Sequence, residues 1–419
     1  MHSHSGLSEG SGISEVAVLD TIHGGEVIAR RMVEQGMQAE ALEVYHSAPS
    51  VEPFDLVVSP VHLRPDNPAL ARARKLGKRI ITHHQAVGRL VGDPGIPAFE
   101  VTGTRGKTTT ALLLARILSH ARMRVVSHTT RGIELWDGRS SRLLQGGLSI
   151  TPANVILAAE ASRSERADAL VCEVSLGGTG MAGFGVLTSF ARDYRIAGES
   201  MWASTAKLQM ITLAREGFRL VAGVDTGISA DLSFGPGGDV FCTGERICRG
   251  EEQAPLGLGQ GFDPATYQSS ISAAAAAAIS AGLSLSQCSN ALDGFDGLEG
   301  RMKRSVEEGM VVYDNSNSGL LSPGVERALD YAAGGGRLGL VVGEEAETVC
   351  EGMDVPALLA LLASRREEID ELVLVGARLQ PHARKLGARA APDLNSGRRM
   401  ARESLGRGDR MLLCVKCFR

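Results

Sequence analysis

Gly103, Gly106, Lys107, Thr108 and Thr109 fall together in the run Ala98-Phe-Glu-Val-Thr-Gly-Thr-Arg-Gly-Lys-Thr-Thr-Thr110. Two glycines let a backbone close on an anion with no Cβ in the way, and the N–H groups that open the next helix point at it. In such a loop Lys107 reaches the β- and γ-phosphates of a nucleotide and the Thr108 hydroxyl sits on Mg²⁺. Val101 stands where the longer Walker pattern has its first glycine, which leaves the narrower Gly-Thr-x-Gly-Lys-Thr-Thr form. These residue types predict a cradle for the phosphates of ATP, built from Gly103, Thr104, Arg105, Gly106, Lys107, Thr108 and Thr109.

A cradle needs a strand before it and a helix after it, and the chain supplies both within a longer alternation. Strands are expected over 16–19, 43–45, 56–59 and 79–82, with helices over 27–36 and 68–76. That spacing argues for a small parallel sheet with Rossmann-like winding. No Gly-x-Gly-x-x-Gly accompanies it, so a dinucleotide is not expected there. The cradle opens a second block with strands over 98–102, 124–127, 169–174 and 220–224, closed by an alanine-rich helix over 273–279. Beyond Gly297 the pattern restarts, with strands over 310–314, 338–342, 372–375 and 411–415 and a helix over 355–364. The expected class is α/β, in three blocks: 15–95, 96–297 and 298–419, after a flexible tail over 1–14 rich in Ser, Gly and His.

With 419 residues, 43% hydrophobic and 22% charged, the chain is sized for two to four globular domains. A formal net charge of −4 gives no broad attraction for nucleic acid or an anionic membrane. No apolar run reaches the length of a membrane span, no basic-then-apolar leader opens the chain, and the seven cysteines suit a reducing compartment. The expected location is the cytoplasm. Cys414 and Cys417 form a Cys-x-x-Cys, yet no second pair or His motif completes a zinc site, and a terminal strand with small apolar cysteines is the plainer reading.

Five separated motifs resemble those of the Mur ligase superfamily: Gly103 to Thr110, Thr151-Pro152, Glu173-Val-Ser175, Gly297 to Met302, and Asp314 at an apolar strand end. The resemblance implies three domains, a Rossmann-like N-terminal domain, a central P-loop ATPase domain and a Rossmann-like C-terminal domain. It also implies a carboxylate activated by ATP as an acyl phosphate, with Lys107, Glu173, Lys207 and Arg301 as catalytic groups. Thr108, Glu173 and Lys207 would hold Mg²⁺, the lysine as a carbamate, although a surface lysine on a helix is the alternative. The family's customary His after an Asp is replaced, leaving Asp193-Tyr194. Arg301 matches an interdomain arginine that reaches the ATP phosphates, Asp314 an acid near the ribose, and the segment around Gln268 to Ser270 stands where an Asn meets the adenine.

Within that superfamily, Asp20-Thr-Ile-His-Gly-Gly25, Thr104-Arg-Gly-Lys107 and Asp314-Asn-Ser-Asn317 look like the Mur-like branch of methanogens that works on a nickel tetrapyrrole. That likeness implies an internal carbon nucleophile, closure of a carbocyclic ketone ring, and release of ADP and phosphate, with nickel present only as part of the substrate. Arg105, Arg131 and Arg301 are candidate partners for such a macrocycle or for the phosphates, and one of His23, His62, His83 and His84 in the first block is a candidate proton carrier, axial nickel ligand or carboxylate partner, with a structural histidine as the alternative. Two other readings stand beside it: an amide ligase adding an amino acid or ammonia, and a non-catalytic P-loop switch. The oligomeric state is left open.

Overall fold

The computed structural model describes residues 15–345 and 352–417, so the tail expected over 1–14 lies outside the described residues. The chain divides into two compact units, one reaching Leu256 and adding Gln268–Leu292, the other made of Gly257–Tyr267 with the chain from Asp293 onward.

The first unit begins with β1 (Glu15–Leu19), α1 (Gly25–Glu34), β2 (Gln38–Leu42), β3 (Leu56–Ser59), α2 (Pro68–Lys75), β4 (Arg79–Thr82) and α3 (His83–Val91). The four strands form a parallel sheet in the order β2-β1-β3-β4. Parallel strands covered on both faces read as continuous apolar runs, and Val16–Leu19 and Leu56–Ser59 are buried throughout. The strand expected over 43–45 is displaced: β2 pairs Gln38 to Leu42 with Glu15 to Leu19. As an edge strand it needs little apolar content, and Gln38, Ala39, Glu40 and Ala41 carry a weak signal. Residues 43–45 instead leave the sheet, and the Tyr45 hydroxyl reaches Asp20 while the residue stays exposed.

Next come β5 (Ala98–Thr102), α4 (Lys107–His120), β6 (Val125–Thr129), β7 (Gly132–Asp137), β8 (Ser140–Gln145), α5 (Asn154–Ser164), β9 (Ala169–Glu173), β10 (Phe184–Leu187) and a short α6 (Ala203–Lys207). They belong to an eleven-stranded sheet whose centre runs β10-β5-β9-β6 in parallel, extended by the antiparallel β7 and β8 on one side. The other side continues through Arg219–Gly223, Leu232–Phe234, Val240–Cys242, Arg246–Arg249 and Glu252–Pro255. The alanine-rich stretch is the second half of a helix, Pro264–Ser280, whose Ala273 to Ala278 are buried. One apolar cluster joins the two sheets: Val16, Ile28, Met32, Val87 and Leu90 pack with Val155, Ala158, Ala159 and Met181.

The second unit holds a six-stranded sheet in the order Lys303–Glu307, Met310–Asp314, Arg410–Lys416, Leu338–Glu344, Glu371–Val375, Arg389–Ala391, parallel except for the first hairpin. Cys414 and Cys417 are both buried, but in different clusters on opposite faces of this sheet. They do not converge as metal ligands, in keeping with the strand reading. Among the described residues no helix is long and apolar enough to cross a membrane.

Candidate active site

The Gly-rich turn expected to cradle phosphate lies where β5 meets α4. Gly103 has φ +146, and a Cβ there would fall 2.0 Å from Thr188 Oγ1, so only glycine fits. Gly106 is the left-handed N-cap of α4, with φ 78. Beyond it the first N–H groups of the helix have no intrahelical partner, the arrangement that receives an anion. Thr104 is used differently from the expectation: its N–H and hydroxyl both donate to the Ser189 carbonyl, and the hydroxyl also to Ala191. It pins the loop and does not present a donor to phosphate. Thr188, unmarked in the sequence, braces the same loop by donating to the carbonyls of Thr102 and Arg105. Arg105 is exposed at the rim, and Ser270, two residues after Gln268, has its Oγ 3.4 Å from where a Gly106 Cβ would lie.

Glu173 ends β9, the strand beside β5, and is 1% exposed. Thr108 Oγ1 donates to its Oε1 at 3.0 Å, while Oε2 is buried with no hydrogen-bond partner among the described residues. A bare buried carboxylate oxygen is costly, and a bound cation would remove the cost. Two hard oxygen donors side by side, behind a phosphate cradle, fit a divalent ion of the Mg²⁺ kind. Glu100, on β5, differs: burial pushes its carboxyl up, but both oxygens accept from Thr179, through its N–H and its hydroxyl.

Lys207 ends α6 and is 1% exposed, so the surface alternative does not hold. The start of that helix is tied down by Asp193, which accepts from the Ser204 N–H at 3.0 Å and from its hydroxyl. Tyr194, in the place of the family's histidine, lies under the lysine, with Nζ 5.6 Å from the ring centroid. His84 is a neighbour: burial lowers its pKa to about 4 and the Lys207 charge adds to this, while its bond to the Ser175 carbonyl opposes. Thr82 donates to Gln209, whose amide in turn donates to Leu176 and Ala206. The C-terminal ends of β4 and β9 are therefore stitched together around Lys207, at the edge where α/β sheets bind ligands.

The first-block histidines separate into two kinds. His83 and His84 are buried, and each has Nε2 on a backbone carbonyl, Leu19 and Ser175, which ties strand ends in place. Burial drives the His83 imidazole down to about 3. His23 and His62 gather instead on Asp20, which follows β1 with φ 94. Asp20 Oδ1 accepts from the N–H groups of Ile22 and His23, and Oδ2 from His23 Nδ1 at 2.6 Å and Tyr45 Oη at 2.9 Å. Burial raises this carboxyl, but the His23 and Tyr45 bonds outweigh it and bring the pKa to about 2. Tyr45 Oη is also 3.1 Å from His62 Nε2. Burial, reinforced by His23, lowers His62 to about 4 against the pull of Asp20. Tyr45 and His62 line a cavity of about 530 Å³ with His46, Arg64 and Asn67. Sequence marked Asp20 only as the start of a motif and Tyr45 only as the end of an expected strand, and gave neither a role in a site, since their meeting depends on the ends of β1 and β2 being adjacent.

Arg131 does not join either group. It lies in the β6–β7 turn and pairs at 3.0 Å with Glu134, a buried carboxylate raised by burial and relieved by that arginine. In the second unit, Asp314 caps the Gly300 and Ser316 N–H groups, and the Arg301 carbonyl accepts from Tyr267 Oη at 2.6 Å. These bonds set the turn that carries Arg301.

Residues 304–417 match the family described as coenzyme F430 synthetase CfbE, C-terminal domain. Across 97% of the chain, and 99% of the relative, the sequence is 34% identical to a coenzyme F(430) synthetase of Methanosarcina acetivorans. Among solved structures, a pseudomurein peptide ligase type C from Methanothermus fervidus covers 96% of this chain and 97% of its own, at TM-score 0.55 and 15% identity. A bifunctional folylpolyglutamate synthase/dihydrofolate synthase from Yersinia pestis, complexed with AMPPNP and Mn ion, covers 80% of this chain and 90% of its own, at TM-score 0.58 and 19% identity. Full-length likeness on a Mur ligase fold places the chain in the coenzyme F430 synthetase family, the members of which are ATP-dependent ligases.

Proposed function

We propose that the protein uses ATP and Mg²⁺ to activate a propionate-derived carboxylate of a nickel seco-tetrapyrrole acid, and that a carbon of the same macrocycle then closes a carbocyclic ketone ring to give coenzyme F430. The likeness to the Methanosarcina synthetase along the whole chain carries this reading. The cradle and the Thr108–Glu173 pair are what its first step requires.

In that step a substrate carboxylate oxygen attacks the γ-phosphorus and ADP leaves. Lys107 and the opening N–H groups of α4 neutralise the crowded phosphate oxygens, the positioning and electrostatic work that dominates phosphoryl transfer. Glu173 and Thr108 hold the divalent ion, which supplies further charge neutralisation, and a carbamylated Lys207 adds a carboxylate. The resemblance to Mur ligases assigns Arg301 to the ATP phosphates and Asp314 and Gln268 to the nucleoside. In the second step the carbon nucleophile bonds to the acyl carbon, the acyl C–O bond breaks, phosphate leaves and the C–H proton passes to solvent or a base. The net change in the macrocycle is loss of one water. An internal nucleophile needs no amino-acid pocket.

The test is an assay with ATP, Mg²⁺ and the nickel seco-tetrapyrrole acid, free of any amine, following ADP and product mass. One ADP per macrocycle that has lost one water is the expected result. ADP release that depends on an added amine would transfer the chain to the amide ligases, and tight ATP binding without turnover of any carboxylate would make it a switch.

A further inference from the structure

We propose that His62 Nδ1 is the axial ligand of the nickel centre in the macrocyclic substrate, held ready by the Tyr45–Asp20–His23 network. This rests on the functional reading above.

The proton order in the network leads to the atom. The Tyr45 hydroxyl donates to Asp20 Oδ2 at 2.9 Å, so its oxygen is left as an acceptor. The 3.1 Å contact with His62 Nε2 then requires the proton on that nitrogen, which leaves Nδ1 as the lone pair. No hydrogen bond to protein engages Nδ1 among the described residues, and the side chain is 30% exposed, on the wall of the 530 Å³ cavity. A histidine that gives its other N–H to a hydroxyl or carboxylate is the usual setting of a metal-binding imidazole. His83 and His84 are buried against carbonyls, and His23, which gives Nδ1 to Asp20, is not among the residues that line the cavity.

The number of ligands discriminates between metals. Asp20, His23 and His62 have ligand atoms within 4.8 Å of one another, enough to chelate a free ion. In this arrangement, however, Asp20 Oδ2 and His23 Nδ1 are spent on each other at 2.6 Å, so the three groups do not stand ready together as a ligand set for a free ion. A nickel ion already held by four macrocycle nitrogens needs one axial donor, whereas a bare ion needs several. The site lies at the C-terminal ends of β1, β2 and β3, the edge of an open parallel sheet where ligands bind.

The experiment binds the nickel seco-tetrapyrrole acid to the full chain without ATP and records the nickel K-edge and visible spectra. The wild type should show an axial nitrogen on nickel, His62→Ala should lose it, and added imidazole should restore it. Tyr45→Phe should retain the signature with affinity weaker by about tenfold. Circular dichroism confirms the fold of each variant. A nickel spectrum unchanged in His62→Ala would overturn the inference. So would an equal loss of affinity for the metal-free macrocycle, which would move His62 to the ring periphery, or tight binding of free Ni²⁺ that needs Asp20, His23 and His62 together. In all three cases the functional reading stands, whereas a wild-type chain that binds no macrocycle would remove that reading and the inference with it.

Discussion

Asp20 and Glu173 are both buried carboxylates at the C-terminal ends of parallel strands, one in each of the two larger sheets of the first unit. Their surroundings are opposite. Asp20 accepts from two backbone N–H groups, an imidazole and a phenol, while Glu173 accepts from one threonine and keeps an oxygen bare. The difference separates two uses of a carboxylate. A saturated one is neutralised by the protein and acts through the side chains it orients; an unsaturated one waits for charge from outside. Glu100, one strand from Glu173 and satisfied by Thr179, belongs with Asp20 although it lies nearer the cradle.

Variants can break that contrast, the most damaging first. Lys107→Ala should abolish turnover while the chain still folds, because the lysine charge is what the crowded phosphate oxygens require; normal activity would remove the cradle from the mechanism. Glu173→Gln should cut turnover by roughly 10²–10³-fold and raise the divalent-ion requirement, with stability unchanged or improved, since the bare oxygen loses its charge. Asp20→Asn should do the reverse, costing about 1–3 kcal/mol of stability while ATP binding persists. Equal effects of the two on stability would show that the bare oxygen has no special standing. Lys207→Ala should lose part of the activity and regain some with a small added carboxylate; a fully active variant would leave the buried lysine a structural role alone.

The smallest effect is on pH. Burial holds His83 near 3 and His62, His84 and His128 near 4 in the folded chain, against 6.5 when exposed. As pH falls below 6.5 the unfolded chain binds protons that the folded chain refuses, so stability should fall between pH 6.5 and about 4, by at most about 1.4 kcal/mol per unit for each group. The Asp20 contribution runs at lower pH: it is full above 3.8 and is lost as pH drops toward 2. Urea midpoints from pH 7.5 to 4.5 check this, and His83→Gln should flatten the slope.

The cradle was legible because local geometry dictates its residues: Gly103 and Gly106 occupy positions where a side chain is strained or excluded, and Lys107 and Thr108 must follow them. The buried parallel strands were legible for the same reason, since burial on both faces forces an unbroken apolar run. What escaped depends on topology. Tyr45 follows an edge strand with little apolar signal, and its meeting with Asp20 and His62 joins residues 17 to 25 positions apart. β10 is only four residues long, yet it lies at the centre of the large sheet and delivers Thr188 to the cradle. The burial of Lys207 could not be read from a five-residue helix. Arg131 looked available as a cation until the β6–β7 hairpin placed Glu134 beside it.

Activation of a substrate carboxylate at the Lys107–Glu173 site is most directly tested by isotope transfer. With ¹⁸O in the reacting carboxylate of the nickel seco-tetrapyrrole acid, one labelled oxygen should emerge in the released phosphate, with ADP formed in step and no amine required. Unlabelled phosphate alongside ring closure would contradict an acyl phosphate and with it the role assigned to this site.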